Sequence, residues 1–452
     1  MASTIPVEER VAPSDTPAAH ANAVVEKGPD DSSKFKLFLG IIRKFIGVSD
    51  LAAVRFSLPA QLLEPTPNLE YWNYLDRPET FISIGDSEDP IGRILSTLRF
   101  WFTKDLKYVK GKPCKPYNST LGEFFRCNWE IEDTDPLLKH PNSAPPSSAA
   151  SIASTKSTAA GSSNKVKVSF LTEQTSHHPP VSAFYIDCPE KGIFARGYDH
   201  LSAKFTGTSI RVTAGAHNLG IFITLAKRDE VYQLTHPAAH LGGLLRGSLN
   251  VTVADSCYIA CPATRLKVIL EYLEEGWLGR SQNRVIGVIF TYDPTNDTKT
   301  KVRDVPDSAI VARIEGNWMD KIYYTLGNAP ITKHSEKILL IDLNPLFPVP
   351  KICPPMDAQL PNESRKFWAG VTSAIVERKY GLATQLKQEL EEKQREKAKE
   401  RKEGGVEWQP RFFTGAVTPV GEPDLTPDGQ LALQGLHTGD FRLEPNKVYA
   451  AF

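Results

Sequence analysis

Two adjacent histidines stand against two adjacent prolines in FLTEQTSHHPPVSAFYID, Phe170 to Asp187. Paired imidazoles serve metal binding, acid–base catalysis or anion binding. Metal binding fails on geometry. Neighbours on a strand point to opposite faces, and no cysteine or aspartate stands close by at a ligand spacing such as HExxH. Catalysis lacks a frame: Glu173, Ser176 and His177 are present, but without a nucleophile elbow or a glycine-rich oxyanion turn they are only composition. Anion binding fits better. Pro179 biases His178 toward extended backbone, and Pro180 stiffens the exit of the chain. At a strand end that turns, both rings can aim N–H donors at one phosphate, whose charge favours protonated imidazole. A satisfied structural role for one of the two rings stays open.

Two other segments carry the residue types such a site needs. In KPYNSTLGEFF, Lys115 to Phe125, the lysine gives a point charge and Gly122, within a turn at Leu121-Gly122-Glu123, permits close backbone approach. In KQELEEKQR, Lys387, Glu391 and Arg395 recur at i, i+4 and i+8. Each step of four drifts roughly 40° around a helix, so the three share one stripe about 12 Å long. Taken alone, that stripe reads as a solvated ion-pair ladder.

The rest of the chain must position these segments. Its 452 residues carry a formal net charge of zero, so the field of the whole molecule favours neither nucleic acid nor an acidic membrane, and any anion site is local. Six scattered cysteines without a CxxC read as reduced cytosolic thiols. The N-terminus lacks the build of a signal peptide, and no run of 18 apolar residues appears, which predicts a soluble or surface-bound protein. Residues 1–32 have a disordered composition. Phe35, Phe38, Leu39, Ile42 and Phe45 then follow a helical stripe beside Lys34, Lys36, Arg43 and Lys44, which suits a helix packed on the core or a mobile, membrane-touching lid. Residues 88–110 read as helix, with Asp89 as N-cap and Pro90 at the first position. Residues 140–164 form a low-complexity insertion. Beyond it the period switches to two: KVKVSF, SIRVTAG, GIFITLA, SLNVTVAD, RLKVILEY, RVIGVIFTYD and AIVARIEGNW predict an antiparallel sheet curled into a barrel, closed or nearly so. Residues 362–403 turn helical again, and the tail over 416–452, rich in glycine and proline, reads as extended.

EQTSHHPP (Glu173 to Pro180), KPYNSTLGEFF, NESRKFW (Asn362 to Trp368), KQELEEKQR and GVEWQPRFF (Gly405 to Phe413), taken in order, resemble the motifs of the oxysterol-binding protein family of lipid-transfer proteins over roughly residues 35–415. The resemblance implies an α+β fold: a large antiparallel, incompletely closed β-barrel around a hydrophobic lipid tunnel, with an N-terminal helical lid at about 34–48 and a C-terminal helical region. It also implies one lipid-binding domain over 33–415. Phosphatidylinositol 4-phosphate would sit with its head at the tunnel mouth, its phosphates falling to Lys115, His177, His178, Lys387 and Arg395, with Glu391 orienting these cations and meeting the inositol ring. The implied second cargo is sterol, with phosphatidylserine as the alternative: in RGYDHLSAKF, Asp199 and Ser202 stand where sterol-carrying relatives have an asparagine and a lysine. With about 34 residues before the lid, the chain resembles a short, core-only member without pleckstrin-homology or ankyrin modules. The implied behaviour is lipid exchange between membranes, without cofactor or bond chemistry, by a cytoplasmic protein bound peripherally to endoplasmic reticulum, Golgi or plasma membrane.

Overall fold

The period-two runs form strands of a single sheet. The computed structural model describes residues 60–110, 115–133, 165–207, 209–242, 250–273, 283–414 and 421–445, with scattered positions between 36 and 50. The expected disordered segment 1–32 and the insertion 140–164 lie outside the described residues. The strands are β1 Phe124–Glu132, β2 Lys165–His177, β3 Pro180–Cys188, β4 Ile193–Phe205, β5 Ile210–Ala214, β6 Ile221–Leu225 and β7 Glu230–Leu234. They continue as β8 Ala238–Gly242, β9 Asn250–Cys261, β10 Leu266–Tyr272, β11 Arg284–Thr291, β12 Ile310–Asn317, β13 Lys321–Leu326 and β14 Ile338–Asp342. β12 shows why: Ile310, Ala312 and Ile314 are buried while the residues between them keep exposed surface, as the pleat requires.

All pairings are antiparallel, and the main path runs β1-β2-β3-β4-β5-β8-β9-β10-β11-β12-β13-β14. Two long strands split the path. The first half of β4 pairs with β6 and its second half with β5; β9 takes β8 and β7 in the same way. β1 and β14 stand at opposite ends of the order, so the ring of strands does not close. Short bridges line the outer side of β1, Asn128 to Ile352 antiparallel and Phe124 to Glu363 parallel.

Among the described residues from 60 onward, the helices α1 Asn68–Tyr71, α2 Pro78–Ile82, α3 Pro90–Thr103 and α4 Leu106–Lys110 pack against the sheet. α3 starts where expected. Asp89 Oδ1 accepts the Ile91 N–H at 3.1 Å, and Pro90 needs no donor there. Its apolar stripe, Ile94, Leu95, Leu98, Trp101 and Phe102, is buried in the main core with Val168, Ile186, Ile223 and Ile259 of the strands. The C-terminal helices are α5 Ser364–Phe367, α6 Ala369–Val376 and α7 Tyr380–Glu403.

The tail departs from expectation. Rather than remaining extended, it forms α8, Pro427–Thr438, with Thr426 Oγ1 accepting the Gly429 N–H at 3.1 Å and Gly439 closing the end at φ +82°. Ala432, Leu433 and Leu436 bury against Phe124, Leu171, Val181 and Phe412. The Asn128 side-chain amide donates to Leu436 O at 2.8 Å, and Lys167 Nζ donates to His437 O at 2.7 Å. The glycines that weaken the helical signal are packing requirements. A Cβ at Gly429 would meet Phe412 O at 2.3 Å.

Candidate functional site

The histidine pair sits on the tightest turn of the sheet. β2 ends at His177 and β3 begins at Pro180, with His177 and Pro180 in register, so His178 and Pro179 make a two-residue hairpin loop whose connecting peptide is cis. Both imidazoles are exposed. Their ring centroids are 4.5 Å apart and the planes meet at 57°. The turn removes the alternation that would otherwise separate neighbours, and the two rings share one patch of surface.

Buried carboxylates fasten the hairpin to the other motifs. Glu173 accepts the backbone N–H groups of Arg411 and Phe412, each at 2.8 Å, and burial pushes its carboxyl up to about 7 against these bonds. Gln174 exchanges backbone hydrogen bonds with the next turn: Gly122 N–H donates to Gln174 O at 3.0 Å, and Gln174 N–H to Glu123 O at 2.8 Å. Gly122 takes φ +77°, a conformation that glycine adopts without steric cost. Glu123, fully buried, accepts Thr120 N–H at 3.0 Å, the Ser364 hydroxyl at 2.7 Å and Trp368 Nε1–H at 3.1 Å. Burial lifts it to about 7 as well. Asn362 adds a donor to Gly122 O at 2.8 Å.

The chain then runs to the long helix. Tyr117, two residues after Lys115, packs its ring 4.8 Å from Trp368 in a cluster with Ala383 and the half-buried Leu386 and Leu390 of α7. Lys115 Nζ donates to Asn118 Oδ1 at 2.5 Å. Lys387 is buried, its ammonium 2.9 Å from Glu391, because the first half of α7 lies on this cluster. Farther along, Arg395 and Glu392 are both 57% exposed and pair with each other. Glu391, expected to orient the phosphate-binding cations and meet the inositol ring, pairs with Lys387, and the Arg395 Nε–H donates to Glu392 at 2.9 Å. Of the expected lid residues, Phe35, Phe38, Leu39 and Ile42 lie outside the described residues. Phe45 ends a 3-10 turn, Arg43–Phe45, and its side chain is likewise outside.

A second polar group lies inside the ring of strands. Tyr74 donates its hydroxyl to Asp199 at 2.5 Å, and His236 stacks on Tyr74 with centroids 5.6 Å apart. Lys104 lies over the rings of Tyr74 and Trp101 at 4.9 and 4.5 Å and pairs with Asp105. Burial pushes Asp199 up to about 7 and His236 down to about 3, with Lys104 helping. Asp199 and His236 are both half-buried. Among the described residues His236 Nε2 has no hydrogen-bond partner. Sequence reading singled out Asp199 but not Tyr74, Lys104 or His236, which carry no local motif. It also missed Glu123 and Glu173 as the fasteners, although both stand inside quoted motifs.

Among the described residues no helix is long and apolar enough to cross a membrane. The sequence profile described as Oxysterol-binding protein matches residues 37–382 and 371–426. The chain is 42% identical to Oxysterol-binding protein-like protein 1 of Schizosaccharomyces pombe, over 91% of this chain and 92% of that one. It is 31% identical to human Oxysterol-binding protein-related protein 9, over 79% of this chain and 44% of the human protein. Two crystal structures share the fold at 18% identity. One is the Osh1 ORD domain in complex with cholesterol, with a TM-score of 0.65 and 94% of each chain covered. The other is the Osh3 ORD in complex with PI(4)P from Saccharomyces cerevisiae, with a TM-score of 0.60, covering 93% of this chain and 95% of that one.

Proposed function

This chain belongs to the oxysterol-binding protein family, and on that premise we propose that it exchanges phosphatidylinositol 4-phosphate for a sterol between membranes. One observation carries the reading. The exposed imidazole pair is tied through Gln174 and Gly122, Glu123 and Trp368, and Tyr117 to the helix that bears Lys387. Segments more than 200 residues apart are thus linked by contacts over one wall of the ring. His177, His178, Lys115, Lys387 and Arg395 supply the cations for a head group carrying close to three negative charges, and Glu391 sets the Lys387 ammonium. Charge-assisted bonds from several fixed donors are what such a head requires.

The interior supports sterol as the second lipid rather than phosphatidylserine. Asp199, whose carboxyl burial pushes up from the ordinary range, and His236, whose imidazole burial pushes down, offer partners to an uncharged hydroxyl, while the walls beside them are aromatic. The sterol and PI(4)P complexes of the structural neighbours support the same pair of cargoes. In this proposal residues 33–415 act as one lipid-binding domain, and a lid at about 34–48, with Phe35, Phe38, Leu39, Ile42 and Phe45, covers the cargo. The protein works at the surfaces of endoplasmic reticulum, Golgi or plasma membrane. Burying the lipid's chains removes about 25 cal/mol per Å² of apolar surface from water, which is the work a carrier does and free diffusion cannot.

The test is a donor-to-acceptor liposome assay. His177→Ala with His178→Ala is expected to abolish phosphoinositide extraction and leave sterol extraction intact. Loss of both in a folded protein sinks the site as drawn. Extraction without transfer points to a lipid sensor, and altered lipid recovered after incubation points to an enzyme.

A further inference from the structure

The bridge beside β1 brings two cysteines face to face. Asn128 and Ile352 exchange both backbone hydrogen bonds at 2.8 Å in an antiparallel pair. That register sets Cys127 directly opposite Cys353 as the neighbouring non-hydrogen-bonded pair, for which Cα atoms lie about 4.5 Å apart. A disulfide accepts Cα separations of about 4.4–6.8 Å. The two side chains share a face: Cys127 is part of the main core and Cys353 packs against it, whereas Asn128 reaches the other way to Leu436 O and Ile352 is exposed.

We propose that Cys127 and Cys353 are a redox pair that hydrogen peroxide converts to a disulfide. The half-buried Cys353 is the attacking thiol. The nearby Cys127 thiol lowers the Cys353 thiol from its ordinary value, and the charges of Arg365 and Lys351 add to this. Burial keeps Cys127 protonated, well above that value. The Cys353 thiolate attacks one peroxide oxygen, the O–O bond breaks, and a sulfenic acid and hydroxide form. Cys127 sulfur then displaces the sulfenic oxygen, which leaves as water as the S–S bond forms. In total two thiols and one peroxide give one disulfide and two waters. Two electrons pass from sulfur to oxygen.

Other described cysteines are placed differently. Cys257 and Cys261 lie on β9, four residues and about 13 Å apart along the strand. Cys188 ends β3.

The experiment treats the purified full chain with a few equivalents of peroxide, blocks residual thiols with an alkylating agent and maps peptides without reductant. The expected result is a Cys127–Cys353 linked peptide as the dominant cross-link, with two thiols lost per chain and both recovered by dithiothreitol. Cys353→Ser is expected to leave Cys127 reduced, and Cys127→Ala to leave Cys353 as a sulfenic acid that dimedone traps. A dominant cross-link between other cysteines overturns the proposal. So does oxidation of Cys353 in the folded wild-type chain with Cys127 still free. The wild-type map decides even where a variant does not fold.

Discussion

Replacing Glu123 by alanine tests whether buried carboxylates fasten the motifs together. Its oxygens accept Thr120 N–H, the Ser364 hydroxyl and Trp368 Nε1–H. Ser364 has a second acceptor in Phe124 O at 3.1 Å, so alanine strands two donors. At about 1–3 kcal/mol for each buried unsatisfied group, the loss is about 2–6 kcal/mol. At about 2.1 cal/mol/K of unfolding entropy per residue, 452 residues convert that loss into a melting temperature lowered by roughly 2–6 °C. Urea unfolding followed by tryptophan fluorescence reads it directly. The pH dependence supplies an independent arm. Burial raises Glu123 from 4.5 to about 7 in the folded protein, so between those values the folded state holds more proton than the unfolded. Its contribution is full below about pH 4.5 and is lost as pH rises through 7, to a ceiling of about 3 kcal/mol. Glu123→Gln, which cannot ionise, should therefore lie farther below wild type at pH 5.5 than at pH 8. A Glu123→Ala protein within about 0.5 kcal/mol of wild type, or a gap that widens with pH, refutes the reasoning.

Two further outcomes follow from the geometry. Lys387→Ala is expected to reduce phosphoinositide extraction about tenfold or more, since one hydrogen bond to a charged group is worth about 1.5–3 kcal/mol; unchanged extraction from liposomes would remove α7 from the site. Thr426→Ala removes the N-cap of α8 at a cost of about 1 kcal/mol, and hydrogen exchange should then quicken at 427–438 before it does in β1 and β2. Equal acceleration in both would mean that the helix has no separate anchor.

Local signals carried much of the fold. The N-cap and proline at Asp89-Pro90, the stripe through Trp101 and the alternation in Ile310–Asn317 each report their own burial, because a helix or strand face repeats within a few residues. Strand order is different. That β4 divides between β5 and β6, and that β8 rather than β6 follows β5 in the main path, depends on pairings set by distant chain. The histidine hairpin was legible from its prolines, which fix backbone locally. The duties of Glu123 and Glu173 were not, because Trp368 and Arg411 lie 245 and 238 residues away. α8 had its signals in Thr426-Pro427 and Leu433, but Gly429 and Gly435 diluted them. His236 has no sequence signature, since its surroundings are made by side chains distant in sequence, among them Tyr74, Trp101 and Lys104.

A sheet that does not close leaves strand margins behind, and bare margins recruit strands from other molecules. On β1 that margin is taken: Ile352 satisfies Asn128, and Asn362 O accepts the Phe124 N–H. At these two positions the border of β1 therefore offers no bare backbone group to a passing strand. An unclosed ring of strands can in this way shield part of its seam with its own chain instead of with a neighbouring molecule.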